Sequence, residues 1–217
     1  MISEITLTQL AGLTLTGRPL VICDVDEVVV HFTRDFEAYL DARGLWLDTS
    51  SFALNGNIRQ RQRCGDRGPR GDGLIDRFFV DRTRHLEPID GAVAALQDIG
   101  ETADVVLLTN LPHSSGDDRR ENLRQHGLPF PVVTNSGPKG PAIRQLAHRA
   151  RTATVFVDDS PSFIASCLRA RAGGSSRPLP ARRAIRPAHR AARLCVAAHR
   201  LMERRQAAYP GPDFRIV

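Results

Sequence analysis

Lysine is nearly missing from this chain of 217 residues: Lys139 stands alone among 30 basic residues, the other 29 being arginines. Where arginine fills every other cationic position, a single lysine hints at a place that needs a compact ammonium rather than a planar fork. Long apolar runs are missing too. None approaches the roughly 20 residues that a bilayer-spanning helix needs, and the N-terminus has no charged segment leading into a long apolar one. The sequence therefore reads as a soluble, cytoplasmic protein with no membrane partner. The four cysteines, Cys23, Cys64, Cys167 and Cys195, stand far apart with no CxxC spacing, so neither a zinc site nor a disulfide framework is indicated. Cys23 lies in an apolar run and reads as strand packing.

The net charge of +6 is unevenly spread. Residues 161–217 hold 12 Arg against Glu203 and Asp213, which is +10, and residues 1–160 then hold 18 basic and 22 acidic residues, which is −4. The basicity belongs to the tail. A basic tail supplies mainly salt-sensitive, sequence-independent affinity for nucleic acid, and residues 164–208 contain no aromatic side chain on which a base could stack. Nucleic acid is not the expected partner.

What the chain does hold is carboxylates at the mouths of apolar runs. In Val21-Ile22-Cys23-Asp24-Val25-Asp26-Glu27-Val28-Val29-Val30, two of them stand two residues apart. An apolar run bounded by polar groups reads as a buried strand, whose period of two would aim Asp24 and Asp26 to the same side. Two like charges there repel, which raises one pKa unless a cation lies between them. The pair points either to a metal site or to a division of labour between nucleophile and acid. A second pair, Asp158-Asp159, ends another apolar run, Ala153 to Val157.

The rest of the chain places these residues. A short helix is expected over residues 4–12 and a first strand from about Leu20 to Val25. Phe32, Phe36, Tyr39 and Leu40 recur at helical spacing up to Gly44, a plausible C-cap. Residues 56–73, with five glycines and many arginines, read as a solvated loop. Helical patterning covers Leu74 to Leu86, breaks at Pro88 and resumes from Gly91 to Ile99. Strands follow at Asp104 to Thr109, Pro131 to Thr134 and the run ending at Asp158, with helices at Asp117 to Gly127 and Pro141 to Arg149. This alternation predicts an α/β fold, a doubly wound parallel sheet with right-handed crossovers, and ligands bind beyond the carboxyl ends of such strands. Asp24, Asp26, Thr109, Asp158 and Asp159 all fall there. His31 and His113 lie near these ends and read as partly buried, hydrogen-bonded histidines.

In chain order, Asp24-x-Asp26, Thr109, Lys139 and Asp158-Asp159 resemble the four motifs of the haloacid dehalogenase (HAD) superfamily, over roughly residues 18–162. Each motif taken singly is commonplace, as a loop pair, a turn threonine or a helix start; the agreement of four in order is not. The resemblance implies a Rossmann-like core over residues 1–30 and 88–170, with a small, mainly helical cap inserted at 31–87. It implies Asp24 as a nucleophile that becomes an aspartyl-phosphate and Asp26 as general acid and then base. Thr109, Asn110 and Lys139 would bind the phosphoryl group. Mg²⁺ would be held by Asp24, the backbone carbonyl of Asp26, and Asp158 with Asp159. The expected activity is hydrolysis of a small phosphomonoester metabolite. A dehalogenase, phosphonatase or phosphomutase on the same fold, and a non-catalytic nucleic-acid binder acting through the tail, are the alternatives.

The pattern fails after Arg171. Residues 171–217 turn to Arg, Ala and Pro with no expected strand, although Ala191 to Ala207 has helical propensity. Three readings compete for this tail: a basic extension, disordered or helical; a surface for an acidic partner or nucleic acid; and the product of a shifted reading frame. A missing edge strand would leave core surface and backbone groups uncovered.

Overall fold

The computed structural model describes residues 1–48, 57–60, 73–171 and 214–216. At its centre lies a parallel sheet in the order β5-β4-β1-β6-β7. Its strands are β1 (Leu20–Cys23), β4 (Asp104–Thr109), β5 (Val132–Thr134), β6 (Thr154–Val157) and β7 (Phe214–Ile216). The first four are buried throughout, which is why their sequences run apolar without alternation. Period two still sorts the side chains. Val21, Cys23, Val105, Leu107, Val155 and Val157 join one cluster, while Leu20, Ile22, Val106, Leu108 and Phe156 join another.

The first cluster is covered by α4 (Ala92–Thr102) through Leu96 and Ile99, and by Leu123 of α5 (Gly116–Gln125). The second is covered by Leu10 of α1 (Glu4–Ala11), by Ile143 and Leu146 of α6 (Gly140–Ala150), and by Cys167 of α7 (Pro161–Arg171). Each such buried side chain contributes about 1.5–3 kcal/mol by leaving water. Helix α1 also closes one edge of the sheet. Its Gln9 Oε1 accepts the Thr134 N–H at 2.8 Å and its Thr6 hydroxyl donates to the Thr134 carbonyl at 2.8 Å, supplying the bonds a further strand would have made.

The register fixes the site. Cys23 pairs with Leu107 on one side and Val157 on the other, so Asp24 and Asp158, just beyond their strands, and Thr109, the last residue of β4, lie together at the carboxyl end of the sheet. Strand β1 is shorter than the apolar run suggests. After Asp24 the Val25 carbonyl accepts the N–H groups of Val28, Val29 and Val30, and Glu27 adopts a left-handed φ of 60°. Asp26 thus stands in a tight loop and not on a strand, so alternation does not account for its orientation.

Residues 31–87 carry α2 (Thr33–Asp41), α3 (Leu74–Arg82), a 3₁₀ turn at Thr83–His85 and two short antiparallel strands, β2 (Leu45–Leu47) and β3 (Ile58–Gln60). Strand β3 corrects the expectation of a loop over residues 56–73; at three residues each, these strands are too short for a period to show. Phe32, Phe36, Tyr39, Phe78 and Phe79 pack mostly edge to face, with neighbouring ring centroids 5.1–5.9 Å apart. These rings are continuous with Val28 to Val30, Leu86 and Ile89 of the sheet-side cluster.

Strand β7 is a second correction. Phe214–Ile216 pairs in parallel with β6, so the outer edge of β6 has a partner from the chain end that the tail's composition hid. The competing readings of residues 172–213 and the helical propensity at Ala191 to Ala207 lie outside the described residues. Among the described residues no helix is long and apolar enough to cross a membrane.

Candidate functional site

The ammonium of Lys139 organises the site. Its Nζ lies 2.6 Å from Asp24 Oδ1 and 2.7 Å from Asp158 Oδ2, and its side chain is fully buried. The lysine sits at the N-cap of α6, just before Gly140 and Pro141, and its Nζ lies 4.7 Å from the centroid of the Phe163 ring. Gly140 is needed for this approach of α6 to α7, since a Cβ there would stand 2.5 Å from the Ser166 carbonyl oxygen. Asp24 is fixed further by the Val25 N–H, which donates to Oδ1 at 2.7 Å, and Asp158 by the Ser160 N–H, which donates to its Oδ1 at 2.8 Å.

Asp26 faces a different cation. Its Oδ1 is 2.5 Å from Nη2 of Arg119 on α5, and its Oδ2 is 3.4 Å from the Thr109 hydroxyl. Arg119 was not among the expected site residues. It lies in Asp117-Asp118-Arg119-Arg120-Glu121, which reads as a solvated face, and only its complete burial distinguishes it from Arg120. Asn122, one helical turn on, accepts from Arg119 Nη1 at 3.3 Å and donates to the Leu86 carbonyl at 2.8 Å.

Asn110, which was expected at the site, and two other polar residues near the strand ends, Glu27 and His113, hold loops together. Both ends of the Asn110 amide are engaged, Nδ2 donating to the Gly137 carbonyl and Oδ1 accepting from Asn135 Nδ2, each at 2.8 Å. The loop after β4 is thereby tied to the turn that presents Lys139. Glu27 Oε1 accepts the Thr33 N–H at 2.6 Å and caps α2, tying the Asp26 loop to the inserted segment. His113 bonds Thr134 Oγ1 through Nδ1 at 2.6 Å and Ser3 Oγ through Nε2 at 3.1 Å, as a hydrogen-bonded structural histidine does.

Asp24, Asp158 and Asp159 each offer a carboxylate oxygen, all within 4.8 Å of one another. Burial, then the Asp24 charge, raise Asp158 to about 7 against the opposing pull of Lys139. Burial, Asp24 and Asp158 raise Asp159 to about 8. Burial favours the neutral form of Lys139, but Asp24 and Asp158 outweigh it and its pKa rises. Asp26 is raised by burial, with the neighbouring Arg119 opposing and Asp24 reinforcing. Crowded carboxylates that resist ionisation are what a hard cation with oxygen ligands would relieve, and the three-acid donor set fits Mg²⁺. The Asp26 carboxylate, turned to Arg119, is not in that set.

A pH dependence follows for the metal-free protein. The unfolded chain releases the protons of Asp158 and Asp159 near the ordinary value of 3.8, while the folded chain keeps them to about 7 and 8. Between these limits the folded state binds more protons, so the contribution of these acids to stability falls as pH rises from about 4 to 8. Thermal melts in chelator should show a midpoint that declines across this window, and Mg²⁺ should raise it more at pH 8 than at pH 5.5. Asp159→Asn should flatten the decline; an unchanged slope in that variant refutes the assignment.

No protein-family profile and no curated protein matches the chain. Among solved structures it is similar to a HAD family hydrolase from Deinococcus radiodurans R1 with bound phosphate and sodium. The two are 17% identical over 70% of this chain and 76% of that one, with a TM-score of 0.43. It is also similar to a haloacid dehalogenase-like hydrolase from Burkholderia xenovorans LB400, 18% identical over 91% of each chain, with a TM-score of 0.45.

Proposed function

We propose that this chain is a hydrolase of HAD type, acting on a small phosphomonoester through a phosphorylated Asp24. The observation that carries the reading is the convergence on Lys139: acids that stand 134 residues apart in the chain, Asp24 and Asp158, bind one ammonium at 2.6 and 2.7 Å beside Thr109 and Asp26. A structural ion pair needs one carboxylate. Two on one buried lysine, with a third within 4.8 Å, make a site built to face further charge.

Asp24 attacks phosphorus while the ester oxygen departs, and Asp26 protonates that oxygen. Asp26 then takes a proton from the water that cleaves the aspartyl-phosphate. Thr109 donates its hydroxyl to a phosphoryl oxygen, and Lys139 holds Asp24 in place and offsets charge beside it. Mg²⁺ bound by Asp24, Asp158 and Asp159 would offset the negative charge that phosphoryl group and carboxylates share. Asn110 holds the loops that present Thr109 and Lys139.

Phosphate release from a panel of phosphomonoesters, assayed with Mg²⁺ and again in EDTA, tests the reading, with 2-haloacids and phosphonates assayed beside them. Turnover of esters that EDTA abolishes is the expected result. Halide release without metal, or no ester turned over by folded protein, defeats it.

A further inference from the structure

We propose that Arg119 is a positioning residue that decides which oxygen of Asp26 meets the leaving group, a role that rests on the reading of Asp26 as acid and base. The core-facing side of helix α5 is otherwise uncharged, with Gly116, Asn122 and Leu123 buried. Of the five charged residues Asp117-Asp118-Arg119-Arg120-Glu121, Arg119 alone is wholly buried, and its one anionic partner among the described residues is Asp26. Removing a guanidinium from water is costly, and an apolar residue of similar volume often serves stability as well or better. Its Nε, moreover, lies buried without a hydrogen-bond partner among the described residues. Packing therefore does not explain an arginine here.

Geometry does. Arg119 has only donors, so the Oδ1 it grips at 2.5 Å cannot carry the proton of a protonated Asp26. The proton is left to Oδ2, the oxygen 3.4 Å from the Thr109 hydroxyl and so beside the phosphoryl site. A carboxyl torsion is otherwise broad and two-fold, and without Arg119 either oxygen could present itself. Asn122 holds the guanidinium in turn, anchored on the Leu86 and Arg84 carbonyls at 2.8 and 3.3 Å. In the step served, the bond from phosphorus to the ester oxygen breaks as Asp24 bonds to phosphorus. The Oδ2 proton passes to that oxygen, releasing a neutral alcohol and leaving Asp26 ionised against Arg119. The second step returns the proton from water.

Leaving groups separate this role from a structural one. An alkyl oxygen needs the proton; p-nitrophenolate leaves without it. Arg119→Lys, Arg119→Gln and Asp26→Asn are assayed with Mg²⁺ at one pH on 2-glycerophosphate and p-nitrophenyl phosphate, and the ratio of the two kcat/KM values is read, because the dephosphorylation step shared by both substrates does not enter it. The ratio is indifferent to the fraction of folded protein, and Arg119→Lys keeps the cation if Arg119→Gln does not fold. The expected result is a ratio lowered about 10- to 100-fold in the Arg119 variants and at least as far in Asp26→Asn. If Asp26→Asn lowers the ratio while the Arg119 variants lose both activities by one factor, the positioning role is wrong and the acid stands. If Asp26→Asn leaves the ratio unchanged, the acid falls and the inference with it.

Discussion

Asp24→Asn should abolish phosphate-ester turnover, by about 10⁴-fold or more, while leaving the fold intact or firmer. The two halves of this result have separate causes. Asparagine keeps the size of the side chain and an oxygen that can accept the Val25 N–H now donated to Oδ1 at 2.7 Å. It removes the charge that raises Asp158 and Asp159, and Lys139 retains Asp158 at 2.7 Å. The metal-free variant should therefore melt at or above the parent midpoint, with Mg²⁺ raising it less. An amide, however, is a poor nucleophile and forms no stable aspartyl-phosphate. A purely structural aspartate would lose stability and activity together. Undiminished turnover in a folded Asp24→Asn protein would refute the nucleophile outright.

The second large effect is on stability. Lys139→Met fills similar volume but leaves Asp24 and Asp158 facing each other, both nearly buried, without their shared cation. Breaking a buried ion pair from one side costs about 3–5 kcal/mol, which for a chain of this size lowers the melting midpoint by roughly 6–20 °C. Turnover should fall steeply as well. Adding Asp158→Asn should restore much of the stability, because the uncompensated charge goes with it, but none of the activity. A double-mutant cycle measures the coupling; additive losses would show that the lysine and the aspartate do not act as a pair. Lys139→Arg should not substitute, since a planar fork cannot occupy the point between two carboxylates and the Phe163 ring as an ammonium does.

How far the sequence carried depends on the length of each signal. Strand β4 lies where its apolar run Val105 to Leu108 places it, and α1, α5 and α6 lie within a residue or two of their periodic segments. Strands β2, β3 and β7, at three residues each, gave no period to read, and the equally short β5 was legible only as an apolar run between two periodic helices, α5 and α6. Strand β1 ended two residues early because the Val25 carbonyl gathers a turn, a matter of backbone bonding that apolar residues on both sides conceal. At the site, the lysine stood out because it is alone among arginines, and the paired acids because charge is costly beside buried apolar strands. Arg119 did not, being one arginine in a chain that holds 29.

Composition and spacing by themselves determined the alternating α/β plan, the candidate carboxylates, and the singularity of Lys139, because burial of apolar strands and the cost of charge beside them are written locally. Only the tertiary structure decided which charges meet. The order of strands, with β1 between β4 and β6, brings Asp24, Asp158 and Lys139 within hydrogen-bond reach and turns Asp26 toward Arg119 instead. An ion pair depends on distance in space, and distance in space is set by register and packing among segments far apart in the chain.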